Sequence, residues 1–177
     1  MKLYSTTGAP NPRRVRIFLA EKEIEVPIQE ISIMEQEHKE ENYKKISPSS
    51  RVPALVLDDG TVILESMAIC RYFELLNPEP ILFGNTELEQ AVIEMQSRRM
   101  EMELMMSVAG TFRHTHPAFA KLENQIPEYG KIMKKEEVAV ANYRTRISQV
   151  LEKKGNKWIF VASHASPLFG GSGYKVD

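Results

Sequence analysis

Hydrophobic and polar residues alternate with a changing period along the first 77 residues. Residues 2–4 and 26–31 carry short strand-like patterns, and a helical stretch lies between them. Asn11 is predicted as the N-cap of that helix and Pro12 as its first residue, because a proline there leaves no N–H unsatisfied. A β-α-β unit is therefore expected at the beginning of the chain.

A hairpin and a further helix are predicted after a polar segment. Residues 35–45 are too hydrophilic for a core helix and indicate an exposed, irregular one. Residues 54–57 and 61–64 are apolar runs joined by a turn that contains Asp59 and Gly60, which is typical of a β-hairpin. Ser66 is then expected to cap a helix that ends before Pro78.

The proline-rich segment 78–85 is predicted to be a linker between a domain formed by residues 1–77 and a helical domain formed by residues 86–177. Two helical stripes of apolar residues follow it: Leu88, Val92, Met95, Met102, Met106 and Ala109 on the first helix, and Ile132, Val140, Tyr143, Ile147 and Val150 on the second. The second helix is expected to end near Lys154. Since a methionine stripe is more often core than ligand surface, the first stripe is expected to be buried.

Composition narrows the classes of function. The chain has 177 residues with 23 Lys and Arg against 24 Asp and Glu, and its formal charge of −1 argues against general nucleic-acid binding. No apolar run approaches the ~20 residues that cross a bilayer, and the N-terminus lacks the apolar stretch of a signal peptide. The single cysteine, Cys70, lies in an apolar helix and is expected to be inert. We therefore expect a soluble, cytoplasmic protein.

Several short motifs occur in order along the chain. They are Pro10-Asn11-Pro12-x-Arg14-Val15, Arg51-Val52-Pro53-Ala54-Leu55, Asp59-Gly60, Glu65-Ser66-x-Ala68-Ile69 and Arg71-Tyr72. The last four resemble the glutathione-binding signature of the glutathione S-transferase family, and the first resembles the first helical turn of its bacterial members. The likeness runs from Met1 to about Leu151. It implies an α/β thioredoxin-like domain followed by an all-α domain.

The resemblance implies a glutathione site in the first domain. It implies a cis Val52–Pro53 bond, which would turn the N–H and C=O of Val52 outward to pair with the cysteinyl part of glutathione. Taken alone, Val52-Pro53 favours a trans proline at a sheet edge. Ser66 would hold the γ-glutamyl carboxylate at a helix N-terminus, and Glu65 would hold the ammonium group. The plainer alternative is that Ser66 is a cap and Glu65 a solvated acid.

The glycine carboxylate of glutathione requires cations. Family members often place a His or Lys in the exposed second helix and a Lys, Gln or Arg before Val-Pro, and His38, Lys39 and Arg51 match these positions. Alternatively, Lys39 only solvates a polar helix.

Thiol activation is assigned to Asn11, with Thr7 as a second candidate. Many family members use a hydroxyl or thiol near the end of the first strand, but Ala9 stands where bacterial relatives often carry Ser or Thr. The side-chain amide of Asn11 and the N-terminal amides of its helix would then favour the thiolate. A capping role for Asn11 is the alternative.

Arg113 and His114 lie at the end of the first long helix. His114 and His116 offer imidazoles to a metal, but no Cys or paired acid is nearby, so metal binding is not expected. The resemblance instead implies that Arg113 and His114 face the pocket of a hydrophobic co-substrate.

The sequence therefore predicts a glutathione transferase that joins the glutathione thiolate to a hydrophobic electrophile. The resemblance implies a homodimer, and no metal or organic cofactor is expected. The alternatives are a glutathione-dependent disulfide oxidoreductase and a non-catalytic glutathione-binding protein.

The helical domain is predicted to be incomplete at its C-terminal end. Family members usually continue into a helix that a Ser/Thr-x-x-Asp motif caps, whereas residues 163–173 have neither a capping box nor a helical period. We expect a mobile tail, reduced stability and an incomplete co-substrate wall, unless Trp158, Phe160 and Phe169 fold back over the gap.

Overall fold

The computed structural model describes residues 1–122, 124–135, 151–154 and 157–160. The chain forms two compact units, residues 1–83 and residues 84–177. None of the helices in these described ranges is long and apolar enough to cross a membrane.

The first unit is a four-stranded mixed sheet with helices. In chain order its elements are β1 (Lys2–Ser5), α1 (Pro10–Glu21), β2 (Ile28–Glu30), a 3-10 helix (Glu37–Lys39), α2 (Glu41–Lys44), β3 (Ala54–Val56), β4 (Val62–Leu64) and α3 (Ser66–Leu76). The strand order is β2-β1-β3-β4, in which β1 and β2 are parallel and the other pairs antiparallel. The predicted thioredoxin-like fold is confirmed.

The core of this unit lies between the sheet and the helices α1 and α3. Leu3 of β1 and Leu55 of β3, which pair with each other, are fully buried. Val15 of α1 and Ile69 and Phe73 of α3 are also buried. Because apolar residues recur at helical spacing on both helices, each presents one face to the core.

The helices α1 and α3 both start earlier in the structure than predicted, and each has a different N-cap from the predicted one. The N-cap of α1 is Ala9, whose carbonyl accepts the Arg13 N–H at 3.1 Å, so the assignment of Asn11 as N-cap was wrong. Pro10, the first helical residue, holds the N1 position that was expected for Pro12. The N-cap of α3 is Glu65, and Ser66 is its first helical residue rather than its cap.

A buried ion pair holds the predicted linker against the first unit. Lys22 Nζ lies 2.5 Å from Glu74 Oε2, and the Lys22 side chain is fully buried. Glu74 Oε1 accepts the N–H groups of Leu82 and Phe83 at 2.9 and 3.0 Å. The first unit therefore extends to Phe83, beyond the start of the linker predicted at residue 78.

The second unit begins with a long helix. A capping box formed by Thr86 and Glu89 starts α4 (Glu87–Arg99), which continues through a π-helix (Met100–Met105) into α5 (Met106–Thr115). A 3-10 helix (Pro117–Phe119), a helix that includes residues 127–135, and a hairpin of β5 (Leu151–Lys154) and β6 (Lys157–Phe160) follow.

Two expectations for this unit were wrong. The first apolar stripe is not buried: its members Leu88, Met95, Met102 and Met106 are all exposed. Residues 151–154 form a strand, so the second helix does not extend to Lys154, because the backbone of these residues pairs across a hairpin instead. Most of the second stripe and the tail after residue 160 lie outside the described residues.

Candidate functional site

The ends of three strands meet at one edge of the sheet. Ala54, the first residue of β3, pairs with Tyr4 near the end of β1 and with Leu64 at the end of β4. The residues after β1 and β4 and those before β3 therefore lie along the same edge, which we call the motif edge. It carries the segments 6–12, 51–53 and 65–66, which contain the predicted site residues other than His38, Lys39, Arg113 and His114.

Only one of the first three residues of α1 has a backbone N–H. Pro10 and Pro12 have no N–H, so Asn11 is the only one of the first three helical residues with a backbone donor. Asn11 is half-buried, and Thr7 is exposed. Since the positive end of the helix dipole lies at the same place, this turn favours an anion.

The hydroxyl at the end of β1 has a structural partner. Ser5 is fully buried, and its Oγ accepts a hydrogen bond from Arg16 Nε at 2.9 Å. Arg16 also pairs with Glu30 at the end of the neighbouring strand β2. The Ser5 hydroxyl is therefore already bound by the Arg16 guanidinium, and this contact stabilises the ends of the two strands.

The junction between β4 and α3 is strained at Glu65. Its φ of 68° and ψ of 123° lie where L-residues are rarely found, and such a conformation costs ~1–3 kcal/mol. The Glu65 side chain is exposed, whereas Ser66 is buried. The strain places Ser66 at the positive end of α3, where an anion is stabilised.

Arg14 connects the two helix starts. Its Nη1 donates to Ser66 Oγ at 2.7 Å in a partly buried contact. The second turn of α1 therefore lies against the first residue of α3, and it adds a guanidinium charge to the helix N-terminus. The same cation lowers the pKa of Cys70, but burial is the larger effect and raises that pKa to about 12. The Cys70 thiol is thus neutral at physiological pH.

The Val52–Pro53 bond is cis, as the resemblance implied. The backbone before it is held from within. The Arg51 carbonyl accepts hydrogen bonds from Tyr43 Oη at 2.8 Å and Ser47 Oγ at 2.9 Å, and Ser47 Oγ accepts the Arg51 N–H at 3.2 Å. The Arg51 side chain is exposed.

His38 and Lys39 form the end of the 3-10 helix, where His38 is half-buried and Lys39 exposed. The segment around them borders a cavity of about 430 Å³, lined by Tyr4, Gln29, Glu30, Ile31, Glu37, Glu40, Asn42, Tyr43 and Ile46. This cavity does not include Val52, Glu65 or Ser66 and has an acidic rim. Tyr43, whose hydroxyl donates to the Arg51 carbonyl, lines the cavity, so the cavity adjoins the motif edge at residues 51–53.

Arg113 and His114 belong to the second unit. His114 Nδ1 accepts the Ile126 N–H at 3.1 Å, and its ring packs edge-on against Tyr129. His116 Nδ1 accepts the Ala118 N–H at 3.2 Å. Both imidazoles therefore serve local backbone turns, and in the described part of the chain no group of three His, Cys, Asp or Glu side chains is placed to hold a metal.

The sequence interpretation missed three residues that hydrogen-bond to the motif edge: Arg14, Tyr43 and Ser47. Arg14 was quoted within a motif but received no role, because its partner Ser66 is 52 residues away. Tyr43 was assigned to an exposed segment but is 4% exposed. An aromatic residue in a polar run, followed four residues later by Ser47-Pro48, was the available signal.

Comparison with known proteins agrees with this geometry. Residues 9–76 match the family described as glutathione S-transferase, N-terminal domain. The chain is 42% identical over 119 residues to glutathione S-transferase 2 of Saccharomyces cerevisiae. This match covers 66% of this chain and 51% of that protein. It is 34% identical over 93 residues to a maleylacetoacetate isomerase of Pseudomonas aeruginosa, covering 51% of this chain and 44% of that protein.

The likeness extends to solved structures. A glutathione S-transferase domain-containing protein of Marinobacter aquaeolei superposes with a TM-score of 0.78 at 34% identity, covering 92% of this chain and 82% of that one. The chain spans about half the length of the curated relatives described above. The fold, the matched domain and this shared identity show that the chain belongs to the glutathione S-transferase family.

Proposed function

We propose that this protein binds glutathione at the motif edge and transfers its thiolate to a hydrophobic electrophile. The observation that carries the proposal is the convergence of two helix N-termini, α1 and α3, with the Val52–Pro53 segment on one edge of the sheet. Two helix starts favour two anions, and the backbone segment between them, which precedes the paired residues of β3, favours a peptide. A tripeptide with a carboxylate and a thiolate has this pattern of groups.

The γ-glutamyl end would bind at the start of α3. Its carboxylate accepts from the Ser66 hydroxyl and amide, and Arg14, which already donates to Ser66, supplies the neighbouring positive charge. Glu65 takes the ammonium group. The glycine carboxylate pairs with Arg51, and His38 and Lys39 provide further cationic character.

The thiol would lie at the start of α1. The Asn11 N–H and side-chain amide donate to sulfur, with Thr7 beside them, and this lowers the thiol pKa from its usual ~8.5 so that thiolate is present at neutral pH. Proximity to the bound electrophile supplies the rest of the rate gain. Arg113 and His114 are proposed to contact that electrophile in a cytoplasmic homodimer.

Substitutions of the residues proposed to hold the two ends of glutathione test the site. Replacing Ser66 by Ala or Arg51 by Glu is expected to weaken glutathione binding by ~1–3 kcal/mol each, the range of charged hydrogen bonds. Calorimetry measures the dissociation constants. Lys45→Glu, the same charge reversal at an exposed residue after α2, is the matched control. Unchanged affinity in both site variants would overturn the site.

Thiol–disulfide exchange is the second candidate reaction, because Ala9 stands at the start of α1. This residue gives the site no hydroxyl at the N-cap of α1, which suits thiol–disulfide exchange or simple binding as well as conjugation. Parallel assays with a chlorinated aromatic electrophile and with a small disulfide separate the two reactions. Retention on immobilised glutathione without either activity would identify a non-catalytic binding protein.

A further inference from the structure

The peptide unit between Arg51 and Val52 is held rigidly from one side. Its carbonyl oxygen accepts two hydrogen bonds, from Tyr43 Oη at 2.8 Å and from Ser47 Oγ at 2.9 Å, so both lone pairs are used. Tyr43 is 4% exposed and Ser47 is fully buried. The carbonyl of Arg51 therefore points into the protein, toward the packed side of α2.

The orientation of this carbonyl decides where the next N–H points. The Arg51–Val52 bond is trans, and a trans peptide is planar, so its C=O and N–H point in opposite directions. If the carbonyl faces the buried hydroxyls, the Val52 N–H faces away from them. Ladder pairing of β3 begins only at Ala54, so Val52 precedes the sheet.

We propose that Tyr43 and Ser47 are positioning residues for substrate, whose hydroxyls turn the Val52 N–H outward to donate to the cysteinyl carbonyl of glutathione. This inference rests on the proposed function and deepens it, because it names the groups that orient the central donor. Two hydrogen bonds to one carbonyl also polarise the peptide, which makes the Val52 N–H a stronger donor.

The hydroxyl of Tyr43 remains a donor at every physiological pH. Burial raises the pKa of Tyr43 to about 12, against a smaller lowering by the hydrogen bond with Ser47. The groups that face Tyr43 include the Tyr4 ring, 6.0 Å away between centroids, and the Arg51 backbone. Positioning by Tyr43 is therefore independent of pH below that range.

Removal of a single oxygen tests the inference. Tyr43→Phe keeps the buried ring and removes the hydroxyl, and Tyr4→Phe makes the same change in the neighbouring ring as the matched control. Calorimetry with reduced glutathione is expected to give a dissociation constant between about threefold and tenfold higher for Tyr43→Phe, and an unchanged one for Tyr4→Phe. In the ligand-free protein, the amide resonance of Val52 is expected to shift only in Tyr43→Phe.

A second ligand separates positioning from loss of structure. In this analogue of glutathione a methylene group replaces the cysteinyl carbonyl, so that it has no acceptor for the Val52 N–H. It is expected to bind wild type and Tyr43→Phe equally well. Ser47→Ala is expected to weaken glutathione binding as Tyr43→Phe does, and Ser47→Thr, which retains a hydroxyl, to restore it. Either position carries the test if a variant of the other does not fold.

The outcomes distinguish this inference from the proposed function. The positioning role is wrong, and the proposed function stands, if wild type and Tyr43→Phe bind glutathione equally well. The same conclusion follows if Tyr43→Phe binds both glutathione and the analogue more weakly than wild type does. If wild type itself does not bind glutathione, the proposed function fails and the inference fails with it.

Discussion

Asn11 has no capping role in the structure. Ala9 is the N-cap of α1, and Asn11 is the second helical residue between two prolines. The alternative explanation of this residue, a side chain that satisfies the first amides of the helix, therefore does not apply. Its backbone N–H and its side-chain amide are the two Asn11 donors that we propose for the thiolate.

Asn11→Ala separates these two donors. Because alanine keeps the backbone N–H, any rise in the pKa of the bound glutathione thiol measures the side-chain amide. We expect that pKa to rise while the affinity for glutathione and the melting temperature stay nearly unchanged. Titration of the thiolate absorbance of the complex against pH reports the value.

The control for this prediction is Asn11→Asp. A carboxylate beside sulfur disfavours the thiolate, so this variant should raise the thiol pKa further than alanine does. An unchanged thiol pKa in both variants would show that the Asn11 side chain does not face the sulfur.

At the scale of elements, α1 and α3 are tied together at both ends. Arg14 contacts Ser66 where the two helices face the motif edge, and Lys22 pairs with Glu74 at their other ends. Lys22 Nζ also donates to the Asn77 carbonyl at 2.5 Å. The pair is buried, so the loss of one charge leaves the other without compensation.

Lys22→Met is expected to lower the free energy of unfolding by about 3 kcal/mol, because Glu74 then remains as a buried charge. Chemical denaturation measures the change. Lys44→Met breaks the exposed pair of Lys44 with Glu41 and should cost no more than about 0.5 kcal/mol. Equal effects of the two substitutions would contradict a structural role for the buried pair.

The capping box of α4 predicts a pH dependence. Hydrogen bonds from the N–H groups of Asn85 and Thr86 lower the pKa of Glu89 below its usual value of 4.5. A carboxylate whose pKa is lowered on folding contributes stability above the pKa of the unfolded chain, and loses it as pH falls through the folded value. The first turn of α4 should therefore open as the pH falls through the lowered pKa of Glu89.

Amide hydrogen exchange at Asn85 and Thr86 measures this opening. Glu89→Gln should remove its pH dependence, whereas Glu87→Gln, which neutralises an acid in the same turn outside the box, should retain it. Exchange that is independent of pH in wild type would contradict the prediction.

At the scale of the whole molecule, each unit exposes apolar side chains. Leu75 and Leu76 at the end of α3 are 78% and 52% exposed, and Met102 and Met106 are exposed on the long helix of the second unit. Clusters of exposed apolar residues are typical of interaction surfaces. They support the proposed homodimer.

Light scattering at micromolar concentration is expected to give about twice the chain mass of 20.2 kDa. Leu75→Glu should shift the mass toward the monomer, since it places a charge on an apolar surface. Ile17→Glu, an equal change at a half-exposed residue of α1, is the control. A wild-type mass near 20.2 kDa would remove the homodimer from the proposal.

The order of helices and strands in the first unit followed from the sequence alone. The hairpin around Asp59-Gly60, the polar α2 segment and the apolar faces of α1 and α3 are encoded in local spacing, because alternation and helical period depend on neighbouring residues. The motifs also indicated which residues the motif edge contains. Local rules failed at helix starts, where Ala9 and Glu65 are caps without a capping side chain.

Contacts between distant residues were decided only by the tertiary structure. Arg14 and Ser66 are separated by 52 residues, and Lys22 and Asn77 by 55, so no local pattern pairs them. Local sequence also does not determine whether the methionine stripe is buried. Its period predicts a helix but does not determine which residues cover it. Tyr43 was hidden by its polar neighbours in sequence, because burial depends on what the fold packs against a residue and not on the residues beside it in the chain.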